Sequence, residues 1–164
     1  MVFNDDLRDS AAELLTSCRE KRLKLATAES CTGGLILGLL TDVCGSSDVV
    51  ECGFVTYTNE AKCQMLDVPV ELFERVGAVS EEVARAMAEG AVSRSLAQLA
   101  ASATGIAGPG GGTETKPVGL VHIAVARVGY ETLHESHVFH GDRQSVREQT
   151  VTAAIALMSR IVAD

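Results

Sequence analysis

Residues 23–40 have the sequence LKLATAESCTGGLILGLL, and this stretch decides the fold. Up to Thr27 the apolar residues alternate, which is typical of a half-buried β-strand, and after Gly34 they recur at helical spacing. A serine, Ser30, stands between the two patterns and is followed by a pair of glycines. The sequence therefore predicts a strand-to-helix turn that carries a hydroxyl group.

This turn offers two kinds of chemistry. Amide groups at a helix N-terminus lack intrahelical acceptors and carry the positive end of the helix dipole, so they can receive an anion or a developing oxyanion. Glycines let a ligand approach the backbone closely, and the candidate binding residues are Cys31, Thr32, Gly33 and Gly34. Ser30 is a candidate nucleophile, although Ser30 or Thr32 could instead simply cap the helix.

Residues 53–62, GFVTYTNEAK, predict a strand that ends at Tyr57 and a helix capped by Asn59, with Lys62 in its first turn. A cation in that turn opposes the helix dipole. We interpret Lys62 as a partly buried lysine whose pKa is lowered by desolvation and by the dipole, so that a neutral amine can serve Ser30 as general base. The alternatives are a solvated lysine and a tyrosine that only packs in its strand.

A glycine-rich segment, TGIAGPGGG at residues 104–112, follows a predicted strand at residues 99–103. It predicts a loop of special backbone geometry, whose exposed amides can bind phosphate or carbonyl oxygens. The segment matches neither the ATP-binding nor the dinucleotide-binding glycine motif, which disfavours both functions. Its candidate substrate-binding residues are Thr104, Gly105, Gly108, Gly110 and Gly111. A mobile surface connection is the alternative.

Two arginines follow the start of the last predicted helix, residues 142–162. Arg143 and Arg147 lie one helical turn apart, and either could bind the phosphate of a nucleotide. Pairing with acidic neighbours on the helix is the alternative. We take Arg143 as a candidate substrate-binding residue.

Six motifs occur in an order that resembles a known family. They are TAESCTGGLI (27–36), GSS (45–47), GFVTYTNEAK (53–62), GAVSEEVARAMAEGA (77–91), TGIAGPGGG (104–112) and KPVG (116–119). From about residue 7 to residue 161 the sequence resembles the C-terminal domain of the competence/damage-inducible protein CinA, whose stand-alone members are nicotinamide-nucleotide amidases. The family fold is a three-layer α/β/α sandwich.

The resemblance implies hydrolysis of the carboxamide of nicotinamide mononucleotide to nicotinate mononucleotide and ammonia, in pyridine-nucleotide salvage and without a cofactor. By motif position Ser30 would be the nucleophile, Lys62 the base and Tyr57 a supporting proton-transfer or orienting group. Cys52 and Thr58 depart from the family's usual glycine and serine, but neither change removes a catalytic group. The alternatives are a catalytically idle nucleotide-binding module and a partner domain of a CinA-type system.

Composition restricts the function classes. A length of 164 residues suits a single domain over residues 1–164, and a net charge of −8 argues against a nucleic-acid-binding surface. The longest apolar run is too short to span a membrane, and the N-terminus lacks a secretory pattern, so we expect a cytoplasmic protein. Separately, we expect this protein to form a homo-oligomer. Five cysteines without a CxxC pair indicate reduced thiols.

Two other chemistries deserve separate tests. Cys31 lies beside the predicted helix N-terminus and could be the true nucleophile if its thiol pKa were lowered there. Three histidines, His134, His137 and His140, raise the question of a metal site. In the predicted strand His137 would point away from the other two, so we expect no bound metal.

The remaining patterns complete the predicted fold. They indicate a first helix at residues 5–21, a helix at 81–96 capped by Ser80, a hairpin of strands 118–128 and 131–139, and the last helix. Alternating helices and strands with a terminal hairpin predict an α/β fold with a mixed, mostly parallel sheet covered on both faces. Ligands of such sheets bind outside the carboxyl ends of the strands, where Ser30, Tyr57 and Thr104 are expected.

Overall fold

The computed structural model describes residues 3–164, which form a five-stranded sheet with helices on both faces. In chain order the elements are α1 (Asp5–Glu20), β1 (Leu25–Glu29), α2 (Leu35–Asp42), a short 3-10 turn (Ser46–Asp48), β2 (Val50–Val55), α3 (Asn59–Leu66), α4 (Val70–Arg75), α5 (Glu81–Ser93), β3 (Leu99–Gly105), β4 (Leu120–Arg127), β5 (Leu133–Val138) and α6 (Arg143–Ala163).

The strand order is β2-β1-β3-β4-β5, so the sheet is mixed as predicted. Strand β1 pairs in parallel with β2 and β3, whereas β4 is antiparallel to both β3 and β5. Four of the five strands, all except β4, therefore run in the same direction, and the parallel pairings lie in one half of the sheet. The predicted half-buried character of β1 is wrong: this strand is buried along its whole length because helices cover both of its faces.

The two faces of the sheet carry side chains of different size. Larger apolar residues of β1, β3 and β4, such as Leu25, Leu99 and Ile123, pack with α1, α2 and α6. The opposite face presents small residues to α5: Ala26, Ala28, Ala100, Ser102, Ala124 and Ala126. Small side chains let α5 lie close to the sheet, and the Ser102 hydroxyl donates to the Ala84 carbonyl at 2.6 Å.

Helix boundaries agree with the sequence prediction to within one residue except at the end of α5. Ser80 caps α5 as predicted, with its hydroxyl accepting from the Val83 amide, but the helix ends at Ser93. The prediction that Asn59 caps α3 is wrong, because Thr58 occupies the cap position and its hydroxyl accepts from the Ala61 amide at 3.1 Å. Asn59 is the first residue of the helix, and its side chain is free for another role.

Helices α3 and α5 approach each other closely at Gly90. A Cβ atom added at this position would lie 2.1 Å from the Leu66 carbonyl oxygen, which is backbone and cannot move aside without shifting α3. Gly38 in α2 gives a matched contrast, because it is exposed and a Cβ atom there would meet nothing within 4 Å.

We predict opposite effects for alanine at these two helical glycines. Gly90→Ala should lower the free energy of unfolding by about 1–3 kcal/mol through overpacking against Leu66. Gly38→Ala should raise it by about 0.5–1 kcal/mol, since alanine is the better helix former. Urea unfolding followed by circular dichroism measures both changes. A Gly90→Ala protein as stable as the wild type would contradict the close approach of α3 and α5.

Candidate active site

A cavity of about 230 Å³ opens at the carboxyl ends of the three parallel strands. Ser30 follows β1, Tyr57 follows β2, and Thr104 and Gly105 end β3, so the sheet brings these residues to one edge as the sequence predicted. The cavity is lined by Ser30, Cys31, Tyr57, Asn59, Lys62, Ala78, Val79, Thr104, Gly105, Ala107 and Arg143. Its lining contains two basic side chains and no acidic one.

The Lys62 amine is the buried centre of this site. Lys62 is 1% exposed, and its Nζ lies 3.1 Å from Ser30 Oγ, 2.8 Å from the Thr56 carbonyl oxygen and 3.2 Å from the Tyr57 carbonyl oxygen. It forms no ion pair with any carboxylate of residues 3–164. The two carbonyl oxygens can accept the two hydrogens of a neutral amine, which leaves the nitrogen lone pair for the Ser30 hydroxyl.

Burial lowers the pKa of Lys62 below its ordinary value of 10.5, because the charged form loses its hydration. The neighbouring thiols of Cys31 and Cys63 act in the opposite direction, but only as thiolates. The alternative of a solvated lysine is therefore wrong for this position. Desolvation, in the absence of a carboxylate partner, favours the neutral amine.

Cys31 is a poor candidate for the nucleophile. It is 6% exposed, and burial raises the pKa of its thiol to about 12, so the protonated thiol predominates at neutral pH. The reactive thiolate that the alternative requires is not favoured. Ser30 is partly exposed at the cavity and lies next to the buried amine, which is the arrangement of an activated hydroxyl.

The amino end of α2 is already occupied by a side chain of the protein. Glu29 is fully buried, and its carboxylate accepts from the amides of Gly34 and Ile36 at 3.0 Å and of Leu37 at 2.9 Å. The Gly33 amide donates to the Ser30 carbonyl at 3.1 Å. The expectation that Gly33 and Gly34 offer free amides is thus wrong.

Some amides near the serine remain available. Within residues 3–164 the amides of Cys31, Thr32 and Ala107 donate to no protein oxygen, and those of Cys31 and Thr32 face the Cys31 sulfur. Cys31 and Ala107 both line the cavity. The geometry therefore moves the candidate oxyanion donors from the start of α2 to the turn before it and to the glycine-rich loop.

Tyr57 and Arg143 meet at the mouth of the cavity. Tyr57 is 63% exposed, and its hydroxyl accepts from Arg143 Nη2 at 3.2 Å. Arg143 Nη1 also donates to the Gly108 carbonyl at 3.0 Å, which ties the glycine-rich loop to α6. The Tyr57 hydroxyl forms no hydrogen bond with Ser30 or Lys62 here, so the contact of this residue with the buried amine is through its carbonyl oxygen.

The structure brings together part of the predicted set. Ser30, Cys31, Tyr57, Lys62, Thr104, Gly105 and Arg143 line the cavity, whereas Thr32, Gly33, Gly34, Gly108, Gly110 and Gly111 do not. Thr104 and Gly105 belong to β3 rather than to the loop after it. Four lining residues were not predicted from the sequence: Asn59, Ala78, Val79 and Ala107. Asn59 could have been found as a polar residue two positions after Tyr57, but the three apolar residues carry no comparable signal.

Two of the four histidines, His122 and His134, form a pair outside the lining of this cavity. His122 Nδ1 lies 3.0 Å from His134 Nε2, and burial lowers the pKa of both rings. His137 stacks on Phe139 instead. Residues 3–164 contain no group of three or more side chains placed to hold a metal ion. No helix in that part of the chain is long and apolar enough to cross a membrane.

Sequence relatives match this chain over most of its length. The CinA-like protein of Syntrophus aciditrophicus is 48% identical over 161 residues, which are 98% of this chain and 37% of that protein. The CinA-like protein of Geobacter sulfurreducens is 54% identical over 140 residues, which are 85% of this chain and 33% of that protein. The chain spans about a third of the length of the curated relatives that it matches.

Solved structures match over the whole fold. The competence/damage inducible protein CihA from Agrobacterium tumefaciens is 45% identical with a TM-score of 0.96, covering 100% of this chain and 99% of that one. A CinA superfamily protein from Escherichia coli is 33% identical with a TM-score of 0.91, covering 98% and 94%. The sequence profile of the CinA C-terminal domain matches residues 7–162. This chain therefore belongs to the CinA C-terminal domain family.

Proposed function

We propose that this protein hydrolyses the carboxamide of nicotinamide mononucleotide, with Ser30 as nucleophile and Lys62 as general base. The observation that carries the proposal is the position of the Lys62 amine, buried without a carboxylate partner and 3.1 Å from Ser30 Oγ. The substrate is inferred from the resemblance of the motifs to those of nicotinamide-nucleotide amidases. The exposed guanidinium of Arg143 in the lining supports an anionic substrate.

In the first half of the reaction Ser30 Oγ attacks the carboxamide carbon while its proton passes to Lys62 Nζ. The C=O π pair moves onto oxygen and forms a tetrahedral oxyanion. When the oxyanion collapses, the C–N bond breaks and Lys62 returns the proton to the leaving nitrogen. Ammonia departs and leaves an acyl ester on Ser30.

The second half repeats this chemistry with water as the nucleophile. Water attacks the ester carbon and transfers a proton to Lys62. The bond between that carbon and Ser30 Oγ then breaks, and Lys62 returns the proton to the departing serine oxygen. The acid product loses its proton to solvent as nicotinate mononucleotide. Both tetrahedral oxyanions need donors, and the amides of Cys31 and Ala107, two residues that line the cavity, are the candidates.

Arg143 is the proposed contact for the nucleotide phosphate. Two of its donors hold the Gly108 carbonyl and the Tyr57 hydroxyl, so further N–H groups of the guanidinium remain for an anion. This arrangement gives Tyr57 an orienting role at the mouth of the cavity, in addition to the contact of its carbonyl with Lys62.

The first kinetic prediction separates serine from thiol catalysis. Ser30→Ala should lower kcat for ammonia release from nicotinamide mononucleotide by about 1,000-fold or more, because no other group can form the acyl ester. Cys31→Ala should keep kcat within about tenfold, since it retains the backbone amide. Both are measured beside the wild type with chelator present. Loss of activity with Cys31→Ala alone would indicate a thiol enzyme, and a folded wild type without activity would favour the idle binding module.

The second prediction concerns pH. Only the neutral Lys62 amine accepts a proton, so kcat/KM should rise with pH, about tenfold per unit, up to the pKa of Lys62 and then level off. Because burial lowers that pKa, the inflection should lie below 10.5. Lys62→Arg should be inactive over the whole range, since a guanidinium stays protonated. An inflection at or above 10.5 would contradict a neutral base.

The third prediction tests the phosphate contact. Arg143→Ala should raise KM for nicotinamide mononucleotide about 10- to 100-fold, which is the expected loss for a charge-assisted hydrogen bond. The same variant should change KM for nicotinamide riboside, which lacks the phosphate, by no more than about twofold. Steady-state kinetics with both substrates measures the difference. An equal loss for the two substrates would remove Arg143 from the phosphate site.

A further inference from the structure

Arg147 does not have the role that its position in α6 indicated. Its Nε donates to the Cys31 carbonyl at 3.1 Å and its Nη2 to the Thr32 carbonyl at 2.8 Å. Arg147 is half-buried and does not line the cavity. The planar fork of the guanidinium therefore spans two successive carbonyls of the turn that carries Ser30, instead of facing an anion.

Glu29 holds the amide groups that follow the same turn. Its carboxylate is fully buried and accepts from Gly34, Ile36 and Leu37. Among residues 3–164 neither Glu29 nor Arg147 forms an ion pair with a charged side chain. Both charges are thus directed at the backbone, one at carbonyls and the other at amides.

The turn needs such restraint because of its glycines. Gly33 and Gly34 have φ values of +62° and +100°, and glycine has more backbone conformations available than any other residue. A trans peptide group is planar, so its C=O and N–H point in opposite directions. By fixing the Cys31 carbonyl, Arg147 sets the direction of the Thr32 amide, and by fixing the Thr32 carbonyl it sets that of the Gly33 amide, which donates to the Ser30 carbonyl.

We propose that Glu29 and Arg147 are positioning residues that clamp residues 30–34 in the geometry needed for attack by Ser30. This inference rests on the proposed amidase function and deepens it. Neither residue lines the cavity, so their loss should affect the transition state and leave binding of nicotinamide mononucleotide nearly unchanged.

The fourth prediction compares two arginines of one helix. Arg147→Ala should lower kcat about 10- to 100-fold with KM within about threefold, because a displacement of reacting groups by about 1 Å has effects of this size. Arg143→Ala, the matched control four residues earlier in the same helix, should instead raise KM and leave kcat nearly unchanged. Arg147→Lys is the variant more certain to fold and should also lose kcat, because an ammonium cannot reproduce the planar fork. Glu29→Gln should act in the same direction, since its amide NH2 cannot accept.

Hydrogen exchange supplies a measurement that does not depend on the reaction. In both Arg147 variants the amides of Gly34, Ile36 and Leu37 should exchange at least about tenfold faster, while β3 keeps its wild-type protection. A raised KM with unchanged kcat in the Arg147 variants would overturn the proposal. Faster exchange throughout the protein would also overturn it, because that result indicates a general loss of stability. If the wild type releases no ammonia, the proposed amidase fails, and unchanged exchange at these three amides would then refute the clamp by itself.

Discussion

The structure depends on one buried carboxylate, that of Glu29, at the end of β1. A fully buried acidic side chain is tolerated only when its oxygens are satisfied, and here three amides of α2 satisfy them. The interaction joins β1 to α2 and determines the path of the chain between them. Ser30 lies on that path, so the same contact that stabilises the helix start also locates the proposed nucleophile.

This arrangement changes the electrostatics of the site. A helix N-terminus usually provides positive potential for a ligand, but Glu29 already balances that of α2. Positive charge at the cavity must come from other groups, and Arg143 is the exposed one. Lys62 is suited to a different task, because its buried amine is held by carbonyl dipoles rather than by a carboxylate. A carboxylate there would stabilise the ammonium form and oppose its use as a base.

The fold was predictable where local signals decide it. Hydrophobic periodicity predicted the layers and the hairpin, and Ser80 was recognisable as a cap from the residues that follow it. The errors arise where distant contacts decide. The alternation of residues up to Thr27 suggested a half-buried strand, yet Glu29 is buried because its partners lie beyond the turn. Thr58 and Asn59 are both good caps, and the sequence has no signal that separates them.

The site was predictable in part for a similar reason. The strand-to-helix turn and the start of the next helix singled out Ser30 and Lys62, and the motif resemblance implied their roles. Burial of the lysine was one of two interpretations of its position; it follows from the path of β2 into α3, which places the carbonyls of Thr56 and Tyr57 around its amine. Arginines at one helical spacing look equivalent in sequence. Their side chains nevertheless meet different parts of the molecule, since Arg143 lies at the cavity mouth and Arg147 faces the turn. One helix thus carries both the proposed phosphate contact and the proposed restraint on the turn of the nucleophile.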